Sequence, residues 1–178
     1  MIMIIAPILT QRLCIRPFVH TDYAAVATYA SDPDVMHYMG SGAMSGAQIE
    51  AFVAQQMTTE VTAYALVLRD STTLIGHMLC HPWFAPRTYE LGWVIAPAYQ
   101  RHGYASEAAQ TLRDYCFASL NAHRVIATCQ PDNPASYRVM EKIGLRREGH
   151  FRQCIQRSET EWWDEYFYAL LRDEWSPA

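Results

Sequence analysis

Charge is scarce in this sequence. Asp, Glu, Lys and Arg make up 18% of 178 residues, against the ~25% usual in soluble domains. No block of Lys or Arg occurs and the formal net charge is −4, so the basic footprint of a nucleic-acid binder is missing. No apolar stretch approaches the ~20 residues of a membrane-spanning helix. The apolar opening, residues 1–9, has no Lys or Arg and is interrupted by Pro7, so it lacks the form of a signal peptide. The five cysteines, Cys14, Cys80, Cys116, Cys129 and Cys154, are odd in number and include no CxxC pair. They suggest neither a disulfide framework nor a zinc knuckle. Scattered in apolar runs, they read as small buried hydrophobes in a reducing compartment, and a cytoplasmic location is expected. His77 and His81 are four apart, but Pro82 and the strand context deny them a shared helical face. No third ligand is near them, and no metal is expected.

What is present is apolar: residues of the set AVILMFWYC make up 51%. One domain over residues 1–178 is expected, large enough to bury a full core without disulfides or metal. The low charge leaves room for an apolar groove or a dimer face. Leu13 to Arg16 reads as a first strand stopped by Pro17. Thr21 or Asp22 caps a helix through about Ala30, and a short helical turn around Pro33 to Met39 follows. Ser45 and Gln48 form a capping box for a helix bearing Ile49, Phe52 and Val53. Tyr64 to Arg69 and Leu74 to Leu79 read as a hairpin, and Tyr89 to Ile95 as a third strong strand ended by Pro97. From Ser106 to about Leu120, Ala108, Ala109, Leu112, Tyr115, Cys116 and Leu120 form one helical stripe. His123 to Cys129 is a strand. Asn133 opens a helix that Gly144 closes in the left-handed conformation. Strand-like segments near Arg146–Ile155 and Trp163–Leu171 finish an α/β fold with a mixed sheet.

The most informative stretch runs from Glu90 to Glu107. A strand ends, a short loop carries one glycine, and a helix begins. Such a loop aims backbone N–H groups at one point, and the helix N-terminus adds about half a positive charge. The combination suits a phosphate or pyrophosphate, and Gly103 allows close backbone approach. The pattern is neither GxGxxG nor GxxxxGK[ST], which weakens dinucleotide-binding and P-loop NTPase readings. An ordinary strand-to-helix loop stays open as the plainer reading.

Gln100-Arg101-His102-Gly103-Tyr104-Ala105 resembles the [Q/R]-x-x-G-x-[G/A] acyl-CoA loop of the GNAT N-acetyltransferases. The resemblance extends over residues 10–175. Thr10 to Pro17 is similar to the family's opening strand. Ser31 to Val35, Tyr89 to Trp93, Asp132 to Ser136, Glu141 to Leu145, Arg147 to Gly149 and Leu170 to Trp175 are similar to the branch of ribosomal-protein alanine and serine N-terminal acetyltransferases. The order and spacing of the loop, the D-N-x-x-S segment and the K-x-G-L segment are specific for the superfamily, not for the substrate.

The resemblance implies a GNAT-like single domain whose mixed, mostly antiparallel sheet splays at two parallel strands, flanked by helices. It implies acetyl-CoA as the acetyl-donor cosubstrate. The pantetheine arm would pair with backbone at Trp93, Val94 and Ile95. The pyrophosphate would sit on the amides of Gln100, Arg101, His102, Gly103, Tyr104 and Ala105, with Ser106 adding a hydroxyl and Asn133 contacting the CoA arm. Asn133 also reads as a helix N-cap. Ser136 would hydrogen-bond the CoA sulfur and protonate the departing thiolate. Met140 stands where many members carry a tyrosine acid. Glu90 would accept the amine proton, directly or through water, or else pair with an arginine on a solvent face. No cysteine aligns with the reaction centre, so a ping-pong route is not favoured.

The aromatic terminal strand of Trp162, Trp163, Tyr166 and Tyr168 reads as core or homodimer packing, or as an edge of the acceptor groove. Arg146, Arg147 and Arg152 either meet an acidic substrate or solvate a strand. The expected activity is acetyl transfer to a primary amine, a protein N-terminal α-amine foremost, by direct attack in a ternary complex. A small-molecule amine as acceptor, or a catalytically weak acyl-CoA-binding module, are the alternatives.

Overall fold

The computed structural model describes residues 6–59 and 61–176. Residues 1–5 of the apolar opening lie outside the described residues. One sheet of eight strands runs through the molecule in the order β1-β2-β3-β4-β5-β6-β8-β7. The strands are β1 (Ile8–Leu9), β2 (Leu13–Arg16), β3 (Ala63–Leu68), β4 (Leu74–Pro82), β5 (Thr88–Ile95), β6 (Arg124–Cys129), β7 (Arg146–Gln156) and β8 (Trp162–Leu171). The helices are α1 (Tyr23–Ala30), α2 (Pro33–Met36), α3 (Gly46–Gln55), α4 (Tyr104–Ala118) and α5 (Pro134–Lys142). Every strand pair is antiparallel except β5 with β6. This is the α/β architecture that the resemblance implied. The two-residue β1 is an addition, too short for a periodic signal.

Local chemistry sets the helix ends. Ser45 Oγ accepts from the Gln48 amide while Gln48 Oε1 accepts from the Ser45 amide, the reciprocal capping box expected from the sequence. Asn133 Oδ1 accepts from the Ser136 amide at 3.2 Å, making it the N-cap of α5. Gly144 ends the same helix with φ +85°.

Each sheet face buries its own core. The stripe Ala108, Ala109, Leu112 and Cys116 of α4 packs on one face with Leu91, Ile95, Val125, Ala127, Met140 and Tyr168. On the other, α1, α2 and α3 bring Val26, Tyr29, Met36, Ile49 and Val53 against Ala63, Ala65, Val67 and Val94. Strands alternate their side chains between faces, which is why Val94 and Ile95 belong to different cores. At Gly76 the backbones of β4 and β5 approach so closely that a Cβ would lie 2.1 Å from the Val94 carbonyl oxygen. A side chain there would push the end of β5 out of place.

An imidazole is buried against the second core. His77 is 2% exposed, lies against Phe52 and Phe18, and shares a 2.9 Å hydrogen bond with the Tyr29 hydroxyl through Nδ1. Burial lowers its pKa to about 4. The unfolded chain, with imidazole near 6.5, therefore binds more protons than the folded chain between those values. Stability from this site is complete above about pH 6.5 and is lost as pH falls toward about 4, a loss of about 3 kcal/mol. Urea midpoints measured from pH 7.5 to 4.5 should fall accordingly, and His77→Asn should flatten that part of the curve even though it lowers the midpoint overall. An unchanged slope in the variant would assign the acid sensitivity elsewhere.

Candidate active site

β5 and β6 run side by side for only three residue pairs, Thr88–Arg124, Tyr89–Val125 and Glu90–Ile126. Beyond Glu90 they part. Leu91–Ile95 stay paired to β4 and Ala127–Cys129 to β8. The β6-facing backbone groups of Leu91–Ile95 are thus left without a strand partner. The gap opens into a cleft of about 330 Å³.

The cleft brings together four of the residues singled out in the sequence: Glu90 and Trp93 from β5, Asn133 at the start of α5, and Ser136 one turn into it. The Glu90 carboxylate accepts from Thr128 Oγ1 at 3.2 Å and lies 4.0 Å from His81 Nε2, so its partners are a hydroxyl and an imidazole rather than an arginine. Ser136 shares the cleft lining with Cys129, the last residue of β6. Cys129 corrects the expectation that no cysteine stands at this centre. Burial pushes its thiol up to about 11, helped by the nearby carboxylates of Glu165 and Glu141 and opposed by Ser136. At pH 7 it is therefore a neutral S–H and a poor nucleophile. Met140 is buried in the core, where it cannot donate a proton. Tyr137 packs against Tyr166 instead of replacing it.

The loop residues lie at the far end of β5. Gln100 donates its side-chain amide to the Ile95 carbonyl at 3.0 Å, so that acceptor is already engaged. Val94 and Ile95 bury their side chains in the two cores, and the β5 residues that line the cleft end at Trp93. Arg101 and Gly103 are both left-handed, with φ +64° and +82°, and Gly103 is the N-cap of α4. Among the described residues, none of the amides from Arg101 through Ser106 donates to a backbone carbonyl in the loop or first helical turn. Convergent unpaired amides at a helix N-terminus form an anion-binding concavity. The His102 ring is occupied within the loop, bonded to the Gln100 carbonyl at 2.7 Å and stacked on Tyr104. Ser106 is buried in the first turn.

A clamp holds this loop. Glu107 accepts from Thr10 Oγ1, the Arg12 amide and Arg12 Nε. Arg12 Nη1 reaches the His102 carbonyl at 3.0 Å, and its guanidinium lies over the Tyr104 ring. Burial works to raise the Glu107 pKa, but the bonds from Thr10 and Arg12 outweigh it and hold the carboxyl below its usual value.

Sequence reasoning missed the other half of the cleft. Tyr38, His81, Thr128, Arg157 and Glu165 line it as well. Trp163 sits at its edge, with His37 and Tyr38 on one side and the Arg157 guanidinium 4.2 Å from its ring centroid. Tyr38 donates to the Asp132 carbonyl at 2.7 Å, tying the segment after α2 to the start of α5. Period-two alternation on β6 and β8 was the available signal: Thr128 shares a face with Ile126, and Glu165 with Phe167 and Ala169. The terminal aromatics divide their roles, since Tyr168 is core while Trp162 is exposed. Arg146 is paired with Glu148 and Glu174, and Arg147 lies over Tyr166.

Comparison with known proteins agrees with this geometry. The acetyltransferase (GNAT) domain family matches residues 12–146. The chain belongs to that family and is an acetyltransferase. It is 49% identical over 169 residues to the Uncharacterized N-acetyltransferase YnaD of Bacillus subtilis (strain 168), covering 95% of this chain and 99% of that protein. A crystal structure of a GNAT-family acetyltransferase from Bacillus anthracis superposes with a TM-score of 0.90 at 46% identity, covering 95% of this chain and all of that one. Two more distant proteins differ in acceptor. The [Ribosomal protein uS5]-alanine N-acetyltransferase of Escherichia coli (strain K12) is 26% identical over 88 residues, 49% of this chain and 45% of that protein. A Vibrio cholerae spermidine N-acetyltransferase, solved with CoA and spermine, shares the fold with a TM-score of 0.78 at 21% identity, covering 93% of this chain and 98% of that one.

Gly103 tests the loop. Its missing Cβ would meet only Arg12 Nη2 at 3.6 Å, so space is available, but φ +82° suits glycine. Gly103→Val should fold and weaken acetyl-CoA at least about tenfold, about 1.4 kcal/mol. Isothermal titration of the folded variant checks this, and unchanged affinity would remove the loop from the binding site.

Proposed function

We propose that residues 1–178 act as a single N-acetyltransferase domain that transfers the acetyl group of acetyl-CoA to a primary amine, foremost a protein or peptide N-terminal α-amine. The observation that carries the reading is the parting of β5 and β6 after Glu90, which puts a carboxylate and a hydroxyl, Glu90 and Ser136, in one cleft with unpaired strand backbone between them. In this reading the pantetheine arm lies along Trp93, Val94 and Ile95. The pyrophosphate rests on the amides of Gln100 through Ala105, and Ser106 and Asn133 assist. The donor stretches from the open loop to the gap, with its thioester beside Ser136. A homodimer and a cytoplasmic location fit this reading and are part of the proposal.

The acceptor nitrogen attacks the thioester carbonyl directly. Its carbon–nitrogen bond forms, the carbon–sulfur bond breaks, and the thiolate departs. The neutral Cys129 thiol supports this route over an acyl-cysteine intermediate. The CoA thiol has an ordinary pKa near 8.5, so a hydrogen bond from Ser136 suffices to help it leave. Strand amides at the gap stabilise the oxyanion, and positioning supplies much of the rate. An α-amine near pKa 7.7 is roughly 15% neutral at pH 7, whereas a lysine-like amine near 10.4 is about 0.04% neutral. Glu90 therefore suits an α-amine, which needs only a modest base. The resemblance to the N-terminal acetyltransferase branch points the same way.

Three measurements follow from these roles. CoA release should be fastest with peptides beginning Ala, Ser or Met, compared with spermidine and ε-amine peptides. Glu90→Gln should lower kcat/KM most at low pH and recover above roughly pH 8, where free α-amine is abundant. Preference for the ε-amine would overturn the acceptor, and a pH-independent loss would make Glu90 structural. Ser136→Ala should cut kcat about ten- to a hundredfold with little change in KM for acetyl-CoA. A kcat within about twofold of the parent, with chemistry rate-limiting, would remove Ser136 from the mechanism.

A further inference from the structure

Arg157 is the first residue after β7, in the turn that leads to β8. The turn is closed by its own bonds. The Arg157 amide donates to the Glu161 carbonyl at 2.9 Å. Ser158 Oγ accepts from the amides of Thr160 at 3.3 Å and Glu161 at 3.0 Å. Trp163 pairs across the hairpin with Ile155, and its indole N–H donates to the Glu161 carboxylate at 2.6 Å. The Arg157 guanidinium lies 4.2 Å from the centroid of that indole, and its Nη2 donates to the His37 carbonyl at 3.4 Å. The rings of His37 and Tyr38 hold Trp163 in turn. The cation is therefore placed by stacking, which leaves most of its planar fork of N–H donors free.

Charge is scarce in this chain, and its arginines are mostly spent on carboxylates. Arg12, Arg16, Arg113, Arg124 and Arg146 each pair with one. Arg157 forms no ion pair among the described residues, and the acid in its own turn, Glu161, is bonded to Trp163. Yet Arg157 lines the cleft, together with the carboxylates of Glu90 and Glu165 and the imidazole of His81. Among the described lining residues it is the one permanent cation. Arg146 and Arg147, marked in the sequence as able to meet an acidic substrate, are absent from that lining. A cleft with carboxylates and one unpaired guanidinium complements a molecule that carries both charges: an ammonium drawn toward Glu90 and Glu165, and an anion received by the fork of Arg157.

We propose that Arg157 is a specificity-determining residue that binds a carboxylate carried by the acceptor a few bonds from its amine. The inference rests on the cleft being the site of acetyl transfer, and it narrows the acceptor class of that reading. Two sources share this chemistry: an acidic side chain close behind a peptide's N-terminus, and the carboxylate of a free amino acid. A polyamine lacks the anion and would set a further ammonium against Arg157.

Matched acceptors test this. The pairs are Ala-Glu-amide with Ala-Gln-amide, and alanine with alaninamide. In the parent, kcat/KM from CoA release should favour the carboxylate-bearing member of at least one pair by about tenfold or more, chiefly through KM. Added salt should weaken the preference. The pair that shows it identifies the source. Arg157→Gln should bring the ratio close to one, and Arg157→Glu should favour Ala-Arg-amide over Ala-Glu-amide. Titration calorimetry of the N-acetylated forms of the same compounds, added to the protein with CoA, reads the same ratios without turnover. Ratios within about twofold in both pairs of the parent, or a preference that survives in Arg157→Gln, would overturn the proposal. An Arg157-dependent preference in calorimetry without acetylation of any amine would uphold the anion site and count against the functional reading alone.

Discussion

The separation of β5 from β6 after Glu90 and Ile126 is the constraint on which the rest of the molecule depends. In a continuous sheet the strand amides would be spent on their neighbours. Here each strand keeps its outer partner, β4 or β8, on the side away from the gap. The two cores explain how the gap is held. One, under α4 and α5, anchors Leu91 and Ala127; the other, under α1 to α3, anchors Val94. Gly76 lets β4 follow β5 closely enough to support it.

The gap also divides the chemistry. On the α5 side stand Ser136, Cys129 and Asn133, a set of neutral hydrogen-bonding groups. On the opposite side stand His81, Glu90, Thr128 and Glu165, with Glu90 bonded to Thr128 and 4.0 Å from His81. A leaving thiolate and an incoming amine have opposite requirements, one to be offered a hydrogen bond and the other to lose protons. In the proposed reaction the first set would face the departing sulfur and the second the incoming amine.

Much of this was legible in the sequence where the signal is local. The stripe on α4, the Ser45–Gln48 box, the Asn133 cap and the Gly144 stop each depend on residues a few positions apart, and each stands as read. The loop from Gln100 to Ala105 was legible because its backbone geometry demands glycine at position 103. Thr128 and Glu165 were not, because an isolated polar residue on a strand does not say which neighbour it will meet. Their meeting with Glu90 in one cleft arises from the order β5-β6-β8, in which the chain's last strand inserts beside β6. Cys129 was misread for the same reason: only the fold shows that it ends β6 beside Ser136. Tyr38 and Trp163, 125 positions apart, meet at 5.8 Å through tertiary packing alone.

The clamp between Arg12 and Glu107 bears on how such a sequence can drift. Glu107 places a carboxylate in the first turn of α4, at the helix end whose open amides favour an anion. Arg12, 95 residues earlier, is what makes that charge tolerable, neutralising it while tying the loop at His102. A chain that lost the arginine and kept the acid would set one anion against another. Exposed ion pairs are commonly dispensable, but losing this arginine would also unfasten the loop at His102, so a change at one of the two positions is felt at the other.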